Sequence, residues 1–462
     1  MILPQDFIEM MQKQIGSEET EKLTNAICLP SPTSIRINPI KRCEDTSDSV
    51  LAEEWSEVKW CKEGRLLKER PSFTFDPLFH CGAYYVQEAS SMYLSHIIRN
   101  YIDHPVVALD MCAAPGGKST LAISTLPDGS LLFANEVNRK RCQILAENIT
   151  KWGNPNTIVT NNYAEDFTDF TNTFDLIICD APCSGEGMFR KDEEAITEWS
   201  LNNVETCWKR QREIVSNIWH CLKPGGIMIY STCTYNHYED EDIISWIESE
   251  LGGERLPLCD DESWNIKGGH FFPHHITGEG FFVCPIRKKE YDWDEPDFIS
   301  DTSKGKKGKK GKEAKGITPL SKNSPVAKEL ASYINNTDSF TIYEDGDSYF
   351  AFPSEHLAYL QESKKSLKVM HSGIKLALTK GKNLQPEHSL AMSNALRKEA
   401  FANVALDKDN AIAYLRTEAI SIDAPKGFIL LTYKGIPLGF GKNIGNRVNN
   451  LYPAEWKIRK NY

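Results

Sequence analysis

Leu109-Asp110-Met111-Cys112-Ala113-Ala114-Pro115-Gly116-Gly117-Lys118-Ser119 follows an apolar run over 106–109 and opens a helical pattern over 118–124. The small residues 113–117 remove side-chain bulk where a strand turns into a helix, so backbone N–H groups can approach a ligand there. The spacing is neither the dinucleotide Gly-x-Gly-x-x-Gly pattern nor a phosphate loop, although Gly117-Lys118-Ser119 invites the comparison. Taken alone, the loop also reads as a tight turn with no ligand. Working outward, strand patterns over 106–110, 131–135, 157–160, 176–180 and 227–231 alternate with helical patterns over 118–124, 139–151 and 205–221. That alternation predicts an α/β unit with a parallel sheet covered by helices.

In such sheets ligands sit beyond the carboxyl ends of the strands. Glu136 ends the second strand, where a carboxylate can accept hydrogen bonds from both hydroxyls of a ribose; by itself it would read as a surface acid. Two cysteines follow later strands: Cys183 in Asp180-Ala181-Pro182-Cys183-Ser184-Gly185 and Cys233 in Tyr230-Ser231-Thr232-Cys233-Thr234. The spacing of Cys179 and Cys183 does not suit a zinc knuckle and no second cysteine pair follows, which leaves thiol chemistry or packing. Together these segments suggest a cofactor facing a nucleophile. Cys142, Cys179, Cys221 and Cys284, in apolar surroundings, read as small core residues.

With 462 residues and 40% hydrophobic content, the chain can bury more than one core. The formal net charge of -11 argues against a general polyanion binder without excluding a local basic surface. Thirteen cysteines without framework spacing suit a reducing compartment, so a cytoplasmic protein is expected. The first residues lack a basic stretch followed by an apolar core, and no apolar run approaches membrane-spanning length; neither a signal peptide nor a membrane partner is expected.

The first hundred residues (1–100) combine a helical pattern over 6–14 with an extended basic segment, in which alternating Ile35 and Ile37 predict a half-buried strand presenting Arg36 and Asn38 to solvent. A core unit over 101–290 is followed by a linker over 291–325 that contains Ser303-Lys304-Gly305-Lys306-Lys307-Gly308-Lys309-Lys310-Gly311-Lys312, too poor in apolar residues to fold alone. In the last region, 326–462, strands are expected around the Asp345-Gly346-Asp347 turn and over 427–441, with a helix over 394–403. Asn236-His237-Tyr238-Glu239 has the look of a helix N-cap with its capping glutamate. His270, His274 and His275 are interleaved by Phe271, Phe272 and Pro273, and no metal is expected.

Cys112-Ala113-Ala114-Pro115-Gly116-Gly117-Lys118, Asp180-Ala181-Pro182-Cys183-Ser184-Gly185-Glu186-Gly187-Met188 and Ser231-Thr232-Cys233-Thr234, in that order, resemble the Nol/Nop/Sun family of RNA cytosine-5 methyltransferases. Tyr85-Val86-Gln87-Glu88-Ala89-Ser90-Ser91 and Gly278-Glu279-Gly280-Phe281-Phe282 extend the resemblance over about the first two-thirds of the chain. Gly-Met-Phe-Arg-Lys after the proline-cysteine motif, and the additional C-terminal region, are similar to the bacterial RsmF type, which modifies small-subunit ribosomal RNA.

The resemblance implies a Rossmann-like S-adenosylmethionine-dependent core with a parallel-rich sheet, an N-terminal α/β extension and a C-terminal, mostly β, RNA-binding module like that of pseudouridine synthases and archaeosine transglycosylases (PUA-like). It places Cys112, Ala113, Ala114, Pro115, Gly116, Gly117 and Lys118 around the cofactor, Glu136 on its ribose and Asp180 between cofactor and target base. Where many members carry an acidic residue near the adenine, this chain has Asn162. Carbon 5 of cytosine is a poor nucleophile until a thiolate adds to carbon 6. The resemblance gives that attack to Cys233 and assistance in product release to Cys183. Lys118 has no assigned role, a solvent-facing first-turn lysine being as good a reading as a thiol-tuning one. RNA contacts are expected at Arg36, Asn38, Arg190 and Lys191, the last two alternatively in a salt bridge with Asp192 or Glu193. The partner is RNA, 16S ribosomal RNA or a small ribosomal subunit, and a monomer is expected. Transfer RNA as substrate, a non-catalytic RNA-binding assembly factor and, more distantly, a dinucleotide-dependent oxidoreductase are the rival readings.

Overall fold

The computed structural model describes residues 2–290, 317–381 and 383–460; the Lys/Gly-rich stretch 303–312 lies outside them. The chain opens with helices α1 (Gln5–Ile15) and α2 (Ser17–Ile27), which pack on each other and bury Phe7, Met11, Leu23 and Ile27. An antiparallel sheet follows, built from β1 (Thr33–Ile37), β2 (Trp55–Val58), β3 (Cys61–Leu67) and β4 (Tyr84–Val86) in the order β2-β3-β1-β4.

The core elements are β5 (Val107–Asp110), α3 (Gly117–Thr125), β6 (Leu131–Asn135), α4 (Arg139–Trp152), β7 (Thr157–Thr160), β8 (Phe174–Asp180), α5 (Leu201–Trp219), β9 (Leu222–Thr232), α6 (Glu241–Glu250), β10 (Gly253–Arg255), β11 (His270–Phe271) and β12 (Phe281–Lys288). Strands β7-β6-β5-β8-β9 are mutually parallel, and β12 closes against β9 antiparallel. β5 is buried along its whole length, as a strand covered by helices on both faces must be. The motif-bearing loops all leave this sheet at the carboxyl ends of its strands. α5 starts at Leu201 because the Ser200 hydroxyl accepts the Asn203 N–H at 3.2 Å. β9 runs through Lys223-Pro224-Gly225-Gly226, a stretch that reads as a turn; its pairing with β8 shifts register there instead of ending.

Two further sheets complete the fold. One contains β13 (Phe340–Asp345), β14 (Ser348–Pro353), β16 (Ile374–Lys380) and β17 (Asn383–Pro386); α7 (Leu357–Ser366) and β15 (Val369–Ser372) interrupt it, and β15 joins the core sheet. The other contains β18 (Ala402–Leu406), β19 (Gly427–Tyr433), β20 (Ile436–Asn443) and β21 (Val448–Asn450), with α8 (Lys408–Leu415) after its first strand. The helix expected over 394–403 is absent: this segment is a turn, a short 3₁₀ element and the start of β18. Its backbone bonds go outward, from Arg397 N–H to Tyr333 and from Asn335 N–H to Ala395, so no i→i−4 ladder forms.

Arg36 and Asn38 are not the exposed residues that the alternation predicted. They are 2% and 0% exposed. Arg36 donates to Gln87 Oε1 at 2.7 Å and Thr120 Oγ1 at 2.7 Å, and its guanidinium lies 4.4 Å from the Trp152 ring centroid. Asn38 donates to the Gly82 and Trp152 carbonyls at 2.9 and 3.1 Å. Both faces of β1 are covered, one by the core unit, so polar residues on it serve as internal fasteners. Among the described residues no helix is long and apolar enough to cross a membrane.

Candidate active site

The cysteine loops meet because of sheet register. Asp180 and Ser231 are partners on the parallel strands β8 and β9, so Cys183 and Cys233, just past the two strand ends, emerge side by side. Their sulfurs are 3.1 Å apart, and the Cys233 N–H donates to Cys183 Sγ at 3.4 Å. The bond to Cys233, then burial, hold the Cys183 thiol well above its usual range, which keeps it protonated. Gly187 closes the arrangement: its N–H donates to the Cys233 carbonyl at 2.8 Å, and a Cβ there would lie 2.5 Å from the Gly280 carbonyl oxygen.

Asp180 accepts from Ser231 Oγ at 2.7 Å and pairs with Lys118 at 2.8 Å. Burial opposes the Lys118 charge, but Asp180 in contact, with Cys233 and Asp110 nearby, outweighs it and raises the lysine's pKa. Lys118 is therefore an internal cation facing the site rather than a solvent-facing first-turn lysine. Beneath it, Asp110 accepts from Ser119 Oγ at 2.6 Å while its Oδ1 has no hydrogen-bond partner, and burial pushes its pKa to about 7.

A cleft of about 800 Å³ runs from these groups along the strand ends. Cys112 and Ala114 line it, whereas Pro115, Gly116 and Gly117 form the turn behind, with Gly116 at φ +115°. Side chains of α4 hold that turn: Arg141 donates to the Ala114 carbonyl and Asn148 to that of Pro115, both at 2.8 Å. Glu136 lines the cleft, accepts the Asn138 N–H at 2.8 Å and lies 3.4 Å from Arg141. Asn162 lines it too, alongside the exposed Tyr163.

Several lining or supporting residues escaped the sequence reading. Arg210, Glu213, Ile214 and Asn217 of α5 line the cleft at i, i+3, i+4 and i+7, one helical face that sequence could group but not aim. Glu186 accepts the Tyr235 and Asn236 N–H groups at 2.8 and 3.1 Å, Asn236 Nδ2 at 2.9 Å and Trp199 Nε1 at 3.0 Å. Glu239 accepts Ser184 N–H at 3.0 Å, Gln211 Nε2 at 2.7 Å and Asn236 Nδ2 at 2.8 Å. Asn236 thus joins two buried carboxylates that clasp both cysteine loops. Asn236 Oδ1 does accept the Glu239 N–H at 3.0 Å, as the N-cap expected of it would, but on the turn over 237–240 that leads into α6 at Glu241, and the Asn236 N–H goes to Glu186 rather than back to Glu239. From α1, the Gln14 amide donates to the Tyr235 carbonyl at 2.7 Å and accepts His237 N–H at 3.1 Å.

Arg190 is not open to RNA. It donates to the Ala26 carbonyl at 2.7 Å and lies 3.6 Å from Glu279. Lys191 shares Glu279 at 3.6 Å, so the carboxylate that pairs with both is Glu279 rather than Asp192 or Glu193; Lys191 keeps 30% of its side chain exposed. His274 and His275 both reach Glu19, at 3.1 and 2.9 Å, and His270 reaches Glu241 at 2.7 Å, away from the cleft.

Residues 101–287 match the model of the 16S rRNA methyltransferase RsmB/F family, residues 3–89 that of the N-terminal domain of 16S rRNA methyltransferase RsmF, and residues 401–458 that of the methyltransferase RsmF PUA domain. The ribosomal RNA small subunit methyltransferase F of Aliivibrio fischeri (strain MJ11) is 31% identical over 98% of both chains. The chain belongs to the ribosomal RNA small subunit methyltransferase F family. The protein of that name from Aliivibrio salmonicida is 30% identical, again over 98% of both chains. A solved methyltransferase homolog from Pyrococcus horikoshii, 27% identical, superposes with a TM-score of 0.52 over 61% of this chain and 94% of its own.

The family's cofactor is S-adenosylmethionine, and the cleft suits it. A carboxylate stands at the end of the second strand, Val137, Tyr163 and Ile214 offer apolar surface for a base, and Asp180 and the cysteines lie along the same lining.

Proposed function

We propose that this protein methylates carbon 5 of a cytosine in small-subunit ribosomal RNA, in the cytoplasm, through a transient bond between Cys233 and carbon 6 of the base. The observation that carries this is the 3.1 Å approach of two cysteine sulfurs at one cofactor-sized cleft, beside the Asp180–Lys118 pair.

S-adenosylmethionine would be held by the 112–118 loop with Glu136 on its ribose and Asn162 toward its adenine, and would supply an electrophilic methyl group with S-adenosylhomocysteine as the leaving group. Attack by the Cys233 thiolate forms the S–C6 bond and moves the C5–C6 π electrons onto carbon 5, which then accepts the methyl group. Loss of the C5 proton to a base expels the thiolate and restores the ring double bond. Asp180, steadied by Lys118 and Ser231, is placed to accept a hydrogen bond from the amino group of the base or, if protonated, to donate one to ring nitrogen 3 as charge grows there during attack. Cys183, protonated and in contact with Cys233, is placed to assist the release of that sulfur. The base must be everted to reach this depth. The C-terminal module, together with Lys191 and the exposed Arg210, supplies the RNA-facing side.

Methyl transfer to RNA from cells lacking the protein, followed by bisulfite mapping, tests the reading. A 5-methylcytosine in small-subunit RNA is expected, with no product from Cys233→Ala. Product confined to transfer RNA would replace the substrate assignment, and full activity in Cys233→Ala would falsify the nucleophile.

A further inference from the structure

Beyond the loop carrying Asn162, the core sheet does not end with β7. β15, from the C-terminal half of the chain, adds to it antiparallel with Val369 opposite Thr160, His371 opposite Val159 and Ser372 opposite Ile158. Leu360 and Leu367, from α7 and just beyond it, are buried in the same cluster as Phe133, Ile158 and Phe167, and Met370 packs on Cys142, Leu145 and Val159. Without this segment β7 would be an open sheet edge. The matched family ranges end at 287 and resume at 401, so α7 and β15 fall between them.

This addition reaches the cofactor cleft through one residue. The Lys368 N–H donates to Asn162 Oδ1 at 2.9 Å, the Asn161 N–H donates to the Lys368 carbonyl at 3.0 Å, and Lys368 Nζ donates to Asn161 Oδ1 at 3.0 Å. Asn162 Nδ2 donates to Asp166 Oδ2 at 3.0 Å, while the Asn162 backbone is tied through its N–H and C=O to the Asn135 amide at 3.1 and 2.9 Å. An N–H on one side and a carboxylate on the other leave the Asn162 amide one orientation, since its oxygen must face the donor and its nitrogen the acceptor. Asn162 and the residues after it, Tyr163, Ala164 and Glu165, line the cleft.

We infer that Lys368 is a positioning residue for the cofactor: its main-chain N–H fixes the Asn162 amide, so the C-terminal half of the chain builds part of the S-adenosylmethionine site. The inference rests on the placement of the adenine beside Asn162 proposed above. An amide with a fixed donor and acceptor direction presents a defined polar edge to the base, whereas a free one would pay to order itself on binding.

The test is calorimetry of S-adenosylhomocysteine with the full-length protein. Lys368→Ala keeps the main-chain N–H and is expected to bind within about twofold of wild type; Lys368→Pro removes it and is expected to bind about tenfold more weakly, with KM for S-adenosylmethionine raised and kcat unchanged. Asn162→Ala should weaken binding similarly, and Lys368→Pro should add little to it in the double variant. Wild-type affinity in Lys368→Pro, or additive losses in the double variant, overturns the role of Lys368. Wild-type affinity in Asn162→Ala overturns instead the placement of the adenine. Hydrogen exchange on the unaltered protein decides if the proline variant does not fold. S-adenosylhomocysteine is expected to slow exchange in peptides 112–120 and 366–373 alike, and slowing in 112–120 alone overturns the inference.

Discussion

Asp180 and Ser231 sit opposite each other on adjacent parallel strands, and this register brings Cys183 and Cys233 to a sulfur separation of 3.1 Å. Two thiols so placed can divide the labour of one covalent cycle, one bonding the base and the other helping it leave. Cys183→Ala is therefore expected to accumulate an RNA–protein adduct that survives denaturing electrophoresis, with turnover reduced by about 10² or more. Cys233→Ala and the double variant should show no adduct. An adduct that persists without Cys233 would sink the division of roles.

How far this was legible in the chain depends on the residue. The loop 112–118, Glu136 and the two cysteines each follow a strand whose apolar run is short and cleanly bounded, and the strand ends carried them to one cleft. Arg36 failed because period-two alternation marks which residues share a face but not whether the second face is also covered. The burial of Glu186, and of Glu239 beyond its expected capping place, was silent for a related reason: carboxylates are rarely buried, and only tertiary structure supplies the N–H groups that each collects. The interruption of the β13–β17 sheet by a strand of the core sheet leaves no local signature at all.

Arg36 separates a fastener from an RNA contact. It is buried, donates to Gln87 and Thr120, and lies over Trp152; burial pushes its pKa down to about 10. Arg36→Ala is expected to cost on the order of 3 kcal/mol in urea unfolding, since it leaves buried acceptors unpaired and empties packed space. RNA affinity of the folded variant, and the slope of its logarithm against log salt, should match wild type. A reduced salt slope with unchanged stability would restore the RNA role.

The Lys118–Asp180 pair makes a different demand. Asp180→Asn keeps the shape and the Ser231 contact but strips Lys118 of its counter-charge. Single-turnover methyl transfer should fall by about 10²–10³, as for loss of one electrostatic stabiliser, while S-adenosylhomocysteine affinity changes little. A selective loss of cofactor affinity with an unchanged single-turnover rate would move Asp180 out of the chemistry.

The clasp around the cysteine loops should report itself in pH. Glu186 is fully buried, and burial, then the neighbouring Glu239, raise its pKa from an ordinary 4.5 to about 7. Below the unfolded value both states hold the proton and the group imposes no penalty. As pH rises from there through the folded value, the unfolded chain ionises first, so stability falls across that window and the loss is complete above it. Asp110, raised to about 7 in the same direction, adds to the wild-type slope, so the comparison must be with a variant. Glu186→Gln does not titrate and has one acceptor oxygen for the four N–H bonds now shared by two. It is expected to be less stable than wild type at low pH by ~1–3 kcal/mol. Its urea midpoint should then decline less between pH 5.5 and 8 (roughly the limits of the window in which a raised carboxylate titrates). Parallel declines in the two proteins would show that the fold does not raise the Glu186 carboxyl above its unfolded value, leaving the other buried acids whose pKa is raised, Asp110, Glu239 and Asp240, to carry the wild-type slope.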